Sequence, residues 1–355
     1  LADVDLGEGP FLHAQRMTEA YLLRLQPDRL LHNFRVNAGL APRAPVYGGW
    51  ESASTWEDIN CHGHTLGHYL SACALAWRST RDRRFRQRVD YVAGELAACQ
   101  RASGTGLVCA FPKGPALVAA HLRGEPITGV PWYTLHKIFA GLRDGALLAE
   151  SARSREVLLR LADWAVIATA PLTDAQFEAM LDTEHGGMNE VFADLHAMTG
   201  KPAYRDLARR FSHKAILEPL SQERDHLDGL HANTQIPKIV GFARVYEATG
   251  DTAYRNAAAF FWKTVAQTRS FATGGHGDNE HFFPMADFAS HVFSAKGGET
   301  CCQHNMLRLT RALFLRDPQA DYADYYERVL YNGILASQDP DSGMVTYFQG
   351  ARPGY

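Results

Sequence analysis

The stretch Thr199-Gly-Lys-Pro-Ala-Tyr204-Arg205 recurs fifty residues later as Thr249-Gly-Asp-Thr-Ala-Tyr254-Arg255. In each copy a glycine follows one amphipathic segment, and a second amphipathic segment begins directly after it. This pattern is typical of the end of one helix and the start of the next. A period of about fifty residues accommodates two helices with their loops. The repeat therefore predicts a chain built from helical hairpins.

The same helical periodicity extends over most of the chain, whereas strand-like alternation is scarce. The predicted helices are 11–25, 64–79, 84–100, 133–150, 154–169, 188–199, 203–212, 231–248, 253–268, 302–315 and 321–336. The segments between them at 101–131, 171–189, 213–233 and 269–298 are long and polar, so loops on one side can build a pocket. We expect a mainly α fold, a toroid of helical hairpins, because these loops are too irregular for an open solenoid of uniform repeats.

The composition describes an ordinary globular protein of 355 residues, with 46% hydrophobic and 21% charged residues and a formal net charge of -3. The absence of a basic patch argues against nucleic acid or anionic lipid as a partner. No stretch approaches the roughly 20 apolar residues of a membrane helix. The first residues show no basic segment followed by an apolar one, and because a signal peptide can be removed, localisation stays open.

The segment Gly297–Phe314, GGETCCQHNMLRLTRALF, places Glu299, Cys301 and Cys302 at the start of an amphipathic helix. A carboxylate and two thiols there indicate a metal site or a nucleophile, since a helix N-terminus favours thiolate. The alternative is that both thiols are small buried apolar groups. Without a second cysteine pair, Glu-x-Cys-Cys is a weak zinc signature.

Thr273–Phe283, TGGHGDNEHFF, holds Glu280 in a glycine-rich loop between histidines and aromatic rings. Partial desolvation of a carboxyl group suits a general acid, and Glu280 is our candidate, with a solvated loop glutamate as the alternative. His64 and His68 form an i, i+4 pair at a predicted helix start. Because no carboxylate accompanies them at zincin spacing, we interpret them as pocket-lining or structural histidines.

Three further histidines, His136, His185 and His231, each lie where a loop meets a helix. At equivalent places in successive hairpins they would converge on one rim of a toroid. Together with Trp132 and other aromatic residues they offer apolar faces beside hydrogen-bonding groups, which suits a sugar ring. The alternative is that the aromatic residues belong to the core.

Seven segments in sequence order carry a family resemblance that spans essentially the whole chain. They are GPFLHAQRMTEAYLLRLQPDRLLHNFRVNAGL, GGWE with HGHTLGHYLSA, WYTLHKIFAGL, HGGMNEVFADLHAMTG, TGGHGDNEHF, ETCCQHNMLRLTRALF and DYYERVLYNGILASQDPDSGMVTYF. In these the chain resembles the bacterial β-L-arabinofuranosidases of glycoside hydrolase families 127 and 146. The resemblance implies an (α/α)6 catalytic barrel over residues 1–336 and the start of a truncated β-sandwich region over 337–355.

The resemblance also implies an activity, namely removal of terminal β-L-arabinofuranosyl residues from plant-type glycans with retention of configuration. A cysteine nucleophile held on zinc and a glutamate acid/base would carry the reaction. By motif, Glu280 matches the acid/base, and Glu299 and Cys301 match two zinc ligands. His136, His185 and His231 match histidines that bind the sugar's hydroxyls, and Trp132 and His64 are expected to line the same site. The expected partner is an arabinose-containing oligosaccharide or glycan, and a homodimer is left open.

One departure from the family pattern concerns the nucleophile. In the family, the nucleophile and the remaining zinc ligand come from a downstream cysteine pair in a segment resembling FWCCxGTG, and this sequence stops at Tyr355 before such a segment. We therefore expect a fragment whose nucleophile lies beyond its end and which binds zinc weakly or not at all by itself. A separate hypothesis is that Cys302 takes the place of the missing metal ligand or nucleophile.

Other functions remain open from the sequence. The chain can be a degenerate toroid that binds a sugar without cleaving it, or a toroid glycosidase for another sugar. A further alternative is an inverting or epimerising enzyme that uses Glu280 with Glu190 or Asp278.

Overall fold

The computed structural model describes residues 3–52 and 61–352, and the architecture there is mainly helical. The chain divides into two compact units. Unit 1 comprises Leu1–Gly7 and Thr18–Phe192, and unit 2 comprises Glu8–Met17 and Ala193–Tyr355. No helix in the described ranges is long and apolar enough to cross a membrane.

The helices are numbered in chain order. They are α1 (Pro10–Arg24), α2 (Pro27–Leu30), α3 (His32–Asn37), α4 (His64–Thr80), α5 (Arg83–Ser103), α6 (Pro115–Leu122), α7 (Pro131–Leu147), α8 (Ala152–Thr169), α9 (Asp174–Met180), α10 (Met188–Thr199), α11 (Pro202–Arg210), α12 (Lys214–Ser221), α13 (Ala232–Thr249), α14 (Thr252–Thr264), α15 (Phe288–His291), α16 (Thr300–Arg316) and α17 (Ala320–Val329). Short π-helical turns continue α14 over Val265–Arg269 and α17 over Leu330–Ile334.

All eleven helices predicted from periodicity are present, within a few residues at their ends. The interpretation of the long connections as loops needs a correction, because α6, α9, α12 and α15 lie inside them. Helices of four to eight residues are too short to display a 3.6-residue period. For α9 a local signal exists, since Thr173 and Gln176 form a capping box in which each side chain accepts from the other's backbone N–H.

In unit 1, α4 and α7 approach each other through glycines. A Cβ added to Gly67 would lie 2.1 Å from the carbonyl oxygen of Lys137, and one added to Gly141 would lie 2.5 Å from the carbonyl oxygen of Gly67. Only glycine permits this backbone-to-backbone contact. The close crossing fixes α7, and with it the side chains at its N-terminal end.

In unit 2 the repeated Thr-Gly motif ends two helices as predicted. Gly200 and Gly250 both adopt left-handed backbone conformations, with φ of 72° and 73°, directly after α10 and α13. Their N–H groups donate to the carbonyls of His196 and Tyr246, which closes each helix end. The core of this unit includes Trp262 on α14, whose indole N–H donates to Thr310 on α16 at 2.8 Å.

The described part of the C-terminal region forms isolated β-bridges, Gln338 with Val345 and Glu299 with Phe348, and no extended strand occurs between residues 3 and 52 or 61 and 352. The β region expected from residue 337 onward is therefore seen only as these bridges. Its boundary with the helical part stays a prediction.

Candidate active site

Glu280 lies in a tight turn of unit 2 whose backbone is unusual. Asn279 and Glu280 both have positive φ, 47° and 71°, a conformation that residues other than glycine rarely adopt. Reciprocal hydrogen bonds between Asp278 and His281 close the turn, and the N–H of Ala232 donates to the carbonyl of Glu280 at 2.7 Å. The start of α13 thus holds the turn Asp278–His281, which we call the acid turn. Strained backbone of this kind is concentrated at functional sites.

Two side chains surround the Glu280 carboxyl group. The Tyr347 hydroxyl lies 2.7 Å from its Oε1, and His231 Nε2 lies 3.6 Å from its Oε2. The N–H of Thr234 donates to His231 Nδ1 at 3.3 Å, so a neutral His231 carries its proton on Nε2, the nitrogen that faces Glu280. The side chains of His231 and Glu280 are 33% and 35% exposed, which leaves the carboxyl group accessible from solvent.

Glu299 is the N-cap of α16 and is almost fully buried. Its Oε1 lies 3.1 Å from the Tyr347 hydroxyl, and its Oε2 accepts from the Cys302 thiol at 3.3 Å. Burial raises the pKa of Glu299 and raises the pKa of the Cys302 thiol well above its ordinary value. Cys302 is therefore a buried thiol donor in this arrangement, whereas Cys301 is partly exposed. None of the six cysteines forms a disulfide.

The donors near Glu299 are of kinds that zinc accepts, but they do not make a complete site. Within the described ranges, no group of three or more His, Cys, Asp or Glu residues is arranged to hold a metal ion. A structural or catalytic zinc site needs at least three protein ligands. Glu299 and Cys301 could supply two ligands only, so we derive no step of the chemistry through zinc.

The alternative partner carboxylates, Asp278 and Glu190, are engaged elsewhere. Asp278 accepts from Ser294 at 2.5 Å and pairs with His291 at 2.7 Å. Burial opposes ionisation of Asp278, but these two contacts outweigh it and lower its pKa. Glu190, in unit 1, pairs with Arg143 at 2.9 Å. Neither of these ion pairs includes Glu280.

Unit 1 contains a cluster of rings around His64, the first residue of α4. The His64 ring lies 4.9 Å from the Trp50 ring and 6.3 Å from that of Tyr133, measured between centroids. Its Nδ1 lies 2.9 Å from the carbonyl of Cys61, and burial lowers its pKa to about 4. A neutral imidazole beside two aromatic rings is compatible with a wall of a sugar pocket.

His136 and His185 also lie in unit 1, and both are buried. The His136 ring is next to Gly186, where φ is 57°, and its Nδ1 is 3.4 Å from the Lys137 ammonium group. His185 Nδ1 faces the carbonyl of Leu181 at 3.1 Å, which places its proton on Nδ1 and makes Nε2 the acceptor nitrogen. Their binding of sugar hydroxyls stays a prediction.

The placement of Trp132 does not support its predicted contact with a substrate. Its side chain is 0% exposed, and its indole N–H donates to the Met180 sulfur at 3.1 Å. The ring packs 6.1 Å from that of Trp164. Trp132 is a core residue here, and the exposed aromatic side chain of unit 1's His64 cluster is that of Trp50.

Tyr347 was not identified from the sequence. It is the side chain that brings Glu280 and Glu299 together, although it follows them by 67 and 48 residues. No periodicity or spacing rule links positions so far apart. The only available signal was its place in the last of the seven segments that carry the family resemblance.

Comparisons with known proteins identify relatives of this chain. The non-reducing end β-L-arabinofuranosidase of Bifidobacterium longum subsp. longum is 28% identical over 157 residues, which cover 43% of this chain and 23% of that protein. The crystal structure of a GH127 β-L-arabinofuranosidase from Geobacillus stearothermophilus T6 matches with a TM-score of 0.73 and 16% identity, over 98% of this chain and 58% of that one. A second solved GH127 β-arabinofuranosidase matches with a TM-score of 0.72 and 18% identity, over 98% and 56% of the two chains.

These structural matches show a shared fold, and the chain spans little more than half the length of those solved structures. The family model that describes the GH127 β-L-arabinofuranosidase catalytic domain matches residues 3–355. The chain therefore belongs to the GH127 β-L-arabinofuranosidase catalytic-domain family.

Proposed function

We propose that the protein containing this chain is a retaining glycoside hydrolase that removes terminal β-L-arabinofuranosyl residues, with Glu280 as its acid/base. The observation that carries the proposal is the setting of Glu280. Its carboxyl group is accessible, its backbone is held in a strained turn, and both of its oxygens face hydrogen-bonding side chains. Membership of the GH127 family and the names of the relatives supply the reaction class and the sugar.

In the first step a nucleophile attacks the anomeric carbon and the bond to the leaving oxygen breaks. Protonated Glu280 gives its proton to that oxygen, so the aglycone leaves as a neutral alcohol. In the second step the Glu280 carboxylate takes a proton from water, and the resulting oxygen nucleophile releases the sugar from the enzyme. His231, whose Nε2 carries the proton that faces Glu280, is proposed to bind a sugar hydroxyl with that N–H when the substrate is present.

The nucleophile is proposed to be a cysteine of the longer protein, downstream of residue 355. Cys302 is the alternative within this chain, but its thiol is fully buried and donates to Glu299. A Cys302→Ser variant with full activity would remove it from consideration. Zinc is proposed to be bound by Glu299 and Cys301 together with ligands from that longer protein. The test compares the zinc content of the full gene product in wild type and in Glu299→Ala. This measurement does not depend on activity.

The test of the function uses the full gene product with p-nitrophenyl β-L-arabinofuranoside, and NMR of the first-formed sugar reports its anomeric configuration. We expect cleavage with retention of configuration. In Glu280→Gln we expect the activity to fall about 100-fold or more. Glu223→Gln is the matched control, since Glu223 is an exposed glutamate of unit 2 that also has positive φ. Equal activity in Glu280→Gln and wild type would overturn the assignment of Glu280. Binding of the sugar without cleavage would favour a degenerate sugar-binding protein, and cleavage of a different glycoside would change the substrate.

A further inference from the structure

Tyr347 is fixed next to the start of α16 by its backbone. Its carbonyl accepts from the N–H of Thr300 at 3.0 Å, and the Thr300 hydroxyl donates to the carbonyl of the preceding residue, Thr346, at 2.9 Å. The next residue, Phe348, forms a β-bridge with Glu299, and the two neighbouring rings of Tyr347 and Phe348 pack edge to face at 4.8 Å. The phenol therefore projects from a segment that is anchored independently of the acid turn.

The Tyr347 hydroxyl has unequal contacts with the two carboxyl groups. It lies 2.7 Å from Glu280 Oε1 and 3.1 Å from Glu299 Oε1. A phenol carries one proton, and the shorter contact indicates that Tyr347 donates it to Glu280. One of the two Glu280 oxygens is thereby tied to an anchored segment.

This hydrogen bond restricts the conformational freedom of the Glu280 side chain. Its side chain is about one-third exposed and has three rotatable bonds, so holding it in one conformation costs rotamer entropy. Its other oxygen, Oε2, has His231 Nε2 at 3.6 Å, which is longer than a normal hydrogen bond. Oε1 is held, and Oε2 is the oxygen left to exchange a proton with a ligand.

We propose that Tyr347 is the positioning residue for the acid/base: its hydroxyl holds Glu280 Oε1 so that Oε2 faces the glycosidic oxygen. The proposal rests on the function assigned to Glu280 above. It predicts that loss of the phenol hydroxyl impairs proton transfer to the leaving group more than it impairs sugar binding.

The test compares Tyr347→Phe with wild type in the full gene product, on two arabinofuranosides that differ only in the leaving group. An alkyl alcohol needs a proton to leave, whereas 2,4-dinitrophenolate does not. For Tyr347→Phe we expect kcat/KM to fall about 10- to 100-fold on the alkyl glycoside and by less than about 3-fold on the dinitrophenyl glycoside. A general structural role would lower both values equally, and that result, or no loss on either substrate, would overturn the proposal.

Two further variants complete the design. Tyr331→Phe is the matched control, because Tyr331 is a half-exposed tyrosine of unit 2 whose ring packs on Phe11, so loss of its hydroxyl should change neither substrate's kcat/KM. In a Glu280→Gln background, Tyr347→Phe should add little further loss on the alkyl glycoside, since the group that it positions is already disabled. Additive losses would contradict the proposal.

Failure of the proposed function is distinguishable from failure of this inference. If wild type cleaves neither substrate, the function is wrong, and crystal structures of wild type and Tyr347→Phe then decide the positioning role. We expect the Glu280 carboxyl group to leave its position in Tyr347→Phe and to stay in Tyr331→Phe. An unmoved Glu280 in Tyr347→Phe would overturn the inference.

Discussion

Gly186 and His136 are in such close contact that no other residue fits at position 186: an added Cβ would lie 2.6 Å from His136 Nδ1. The φ of Gly186 is 57°, which independently favours glycine. The glycine of the His-Gly-Gly segment thus sets the space available to a histidine on α7.

Gly186→Ala is therefore expected to act on both stability and activity. Positive φ costs about 1–2 kcal/mol for alanine, and the methyl group would push the His136 ring from its place. We expect the free energy of unfolding to fall by at least that amount and kcat/KM of the full gene product to fall about 10- to 100-fold. Urea unfolding and steady-state kinetics measure the two effects.

Gly200→Ala separates backbone strain from displacement of the histidine. Gly200 has φ of 72°, but nothing lies within 4 Å of its added Cβ. This variant should lose about 1–2 kcal/mol of stability and keep its activity. If Gly186→Ala and Gly200→Ala had the same kcat/KM, His136 would have no role that depends on its position.

Arg269 joins the segment that holds Asp225 and Asp228 to Phe283, which follows the turn of Glu280. Its guanidinium group donates to Asp225 at 2.8 Å, to Asp228 at 2.7 Å and to the carbonyl of Phe283 at 2.9 Å. Lysine keeps the charge but loses the planar set of donors, so Arg269→Lys should lower the free energy of unfolding by about 2–3 kcal/mol. The exposed Arg255→Lys is the control and should stay within about 0.5 kcal/mol of wild type. Equal stabilities of the two variants would show that the buried contacts of Arg269 contribute nothing.

Buried histidines should make the protein less stable in mild acid. Burial lowers the pKa of His276 to about 4 and that of His121 to about 4, whereas a histidine in an unfolded chain titrates near 6.5. Protons then bind the unfolded state first, so stability is full above pH ~6.5 and falls as the pH drops toward about 4. Each histidine should cost about 2 kcal/mol between pH 7 and pH 5.

Unfolding in urea at pH 7 and pH 5 tests this dependence. His121→Gln should reduce the difference between the two pH values by about 2 kcal/mol, whatever its effect on stability at pH 7. His226→Gln, at an exposed position, should leave the difference unchanged. A pH difference in His121→Gln as large as in wild type would rule out burial of a neutral His121 as its cause.

The long helices could be predicted from the sequence because each has an apolar stripe, and the Thr-Gly pairs at Thr199 and Thr249 could be recognised as helix ends because a left-handed glycine follows. Short helices such as α6 and α12 could not, since one or two turns carry no measurable period. Their formation depends on packing with neighbouring residues more than on local preference.

For the site, sequence reasoning proposed Glu280, Glu299 and His231, and the structure brings these three together in unit 2. It could not identify Tyr347, because a contact across 67 residues arises only when the chain folds. It also predicted that Trp132 lines the sugar site, whereas the structure places that side chain in the core. An aromatic residue at the start of a helix looks the same in sequence whether its ring faces a pocket or the interior.

Glu51 caps the N-terminus of α4 although it is not part of that helix. Its Oε2 accepts from the N–H of Gly63 at 2.7 Å and its Oε1 from the N–H of Thr65 at 3.3 Å, at the start of α4. Gly63 is the N-cap residue and has no side chain with which to accept. Glu51 is 4% exposed, and burial raises its pKa, so its oxygens serve the helix rather than solvent.

Glu51→Ala should lower the free energy of unfolding by about 2 kcal/mol, since one buried and one partly buried N–H group lose their acceptor. Glu51→Gln should lose about half as much, because its amide keeps one acceptor oxygen. Glu125→Ala, at an exposed glutamate of the same unit, is the control and should change stability by less than about 0.5 kcal/mol. Amide hydrogen exchange adds a local measurement: Gly63 and Thr65 should exchange faster in Glu51→Ala, and unchanged exchange at both would mean that other groups accept from these amides.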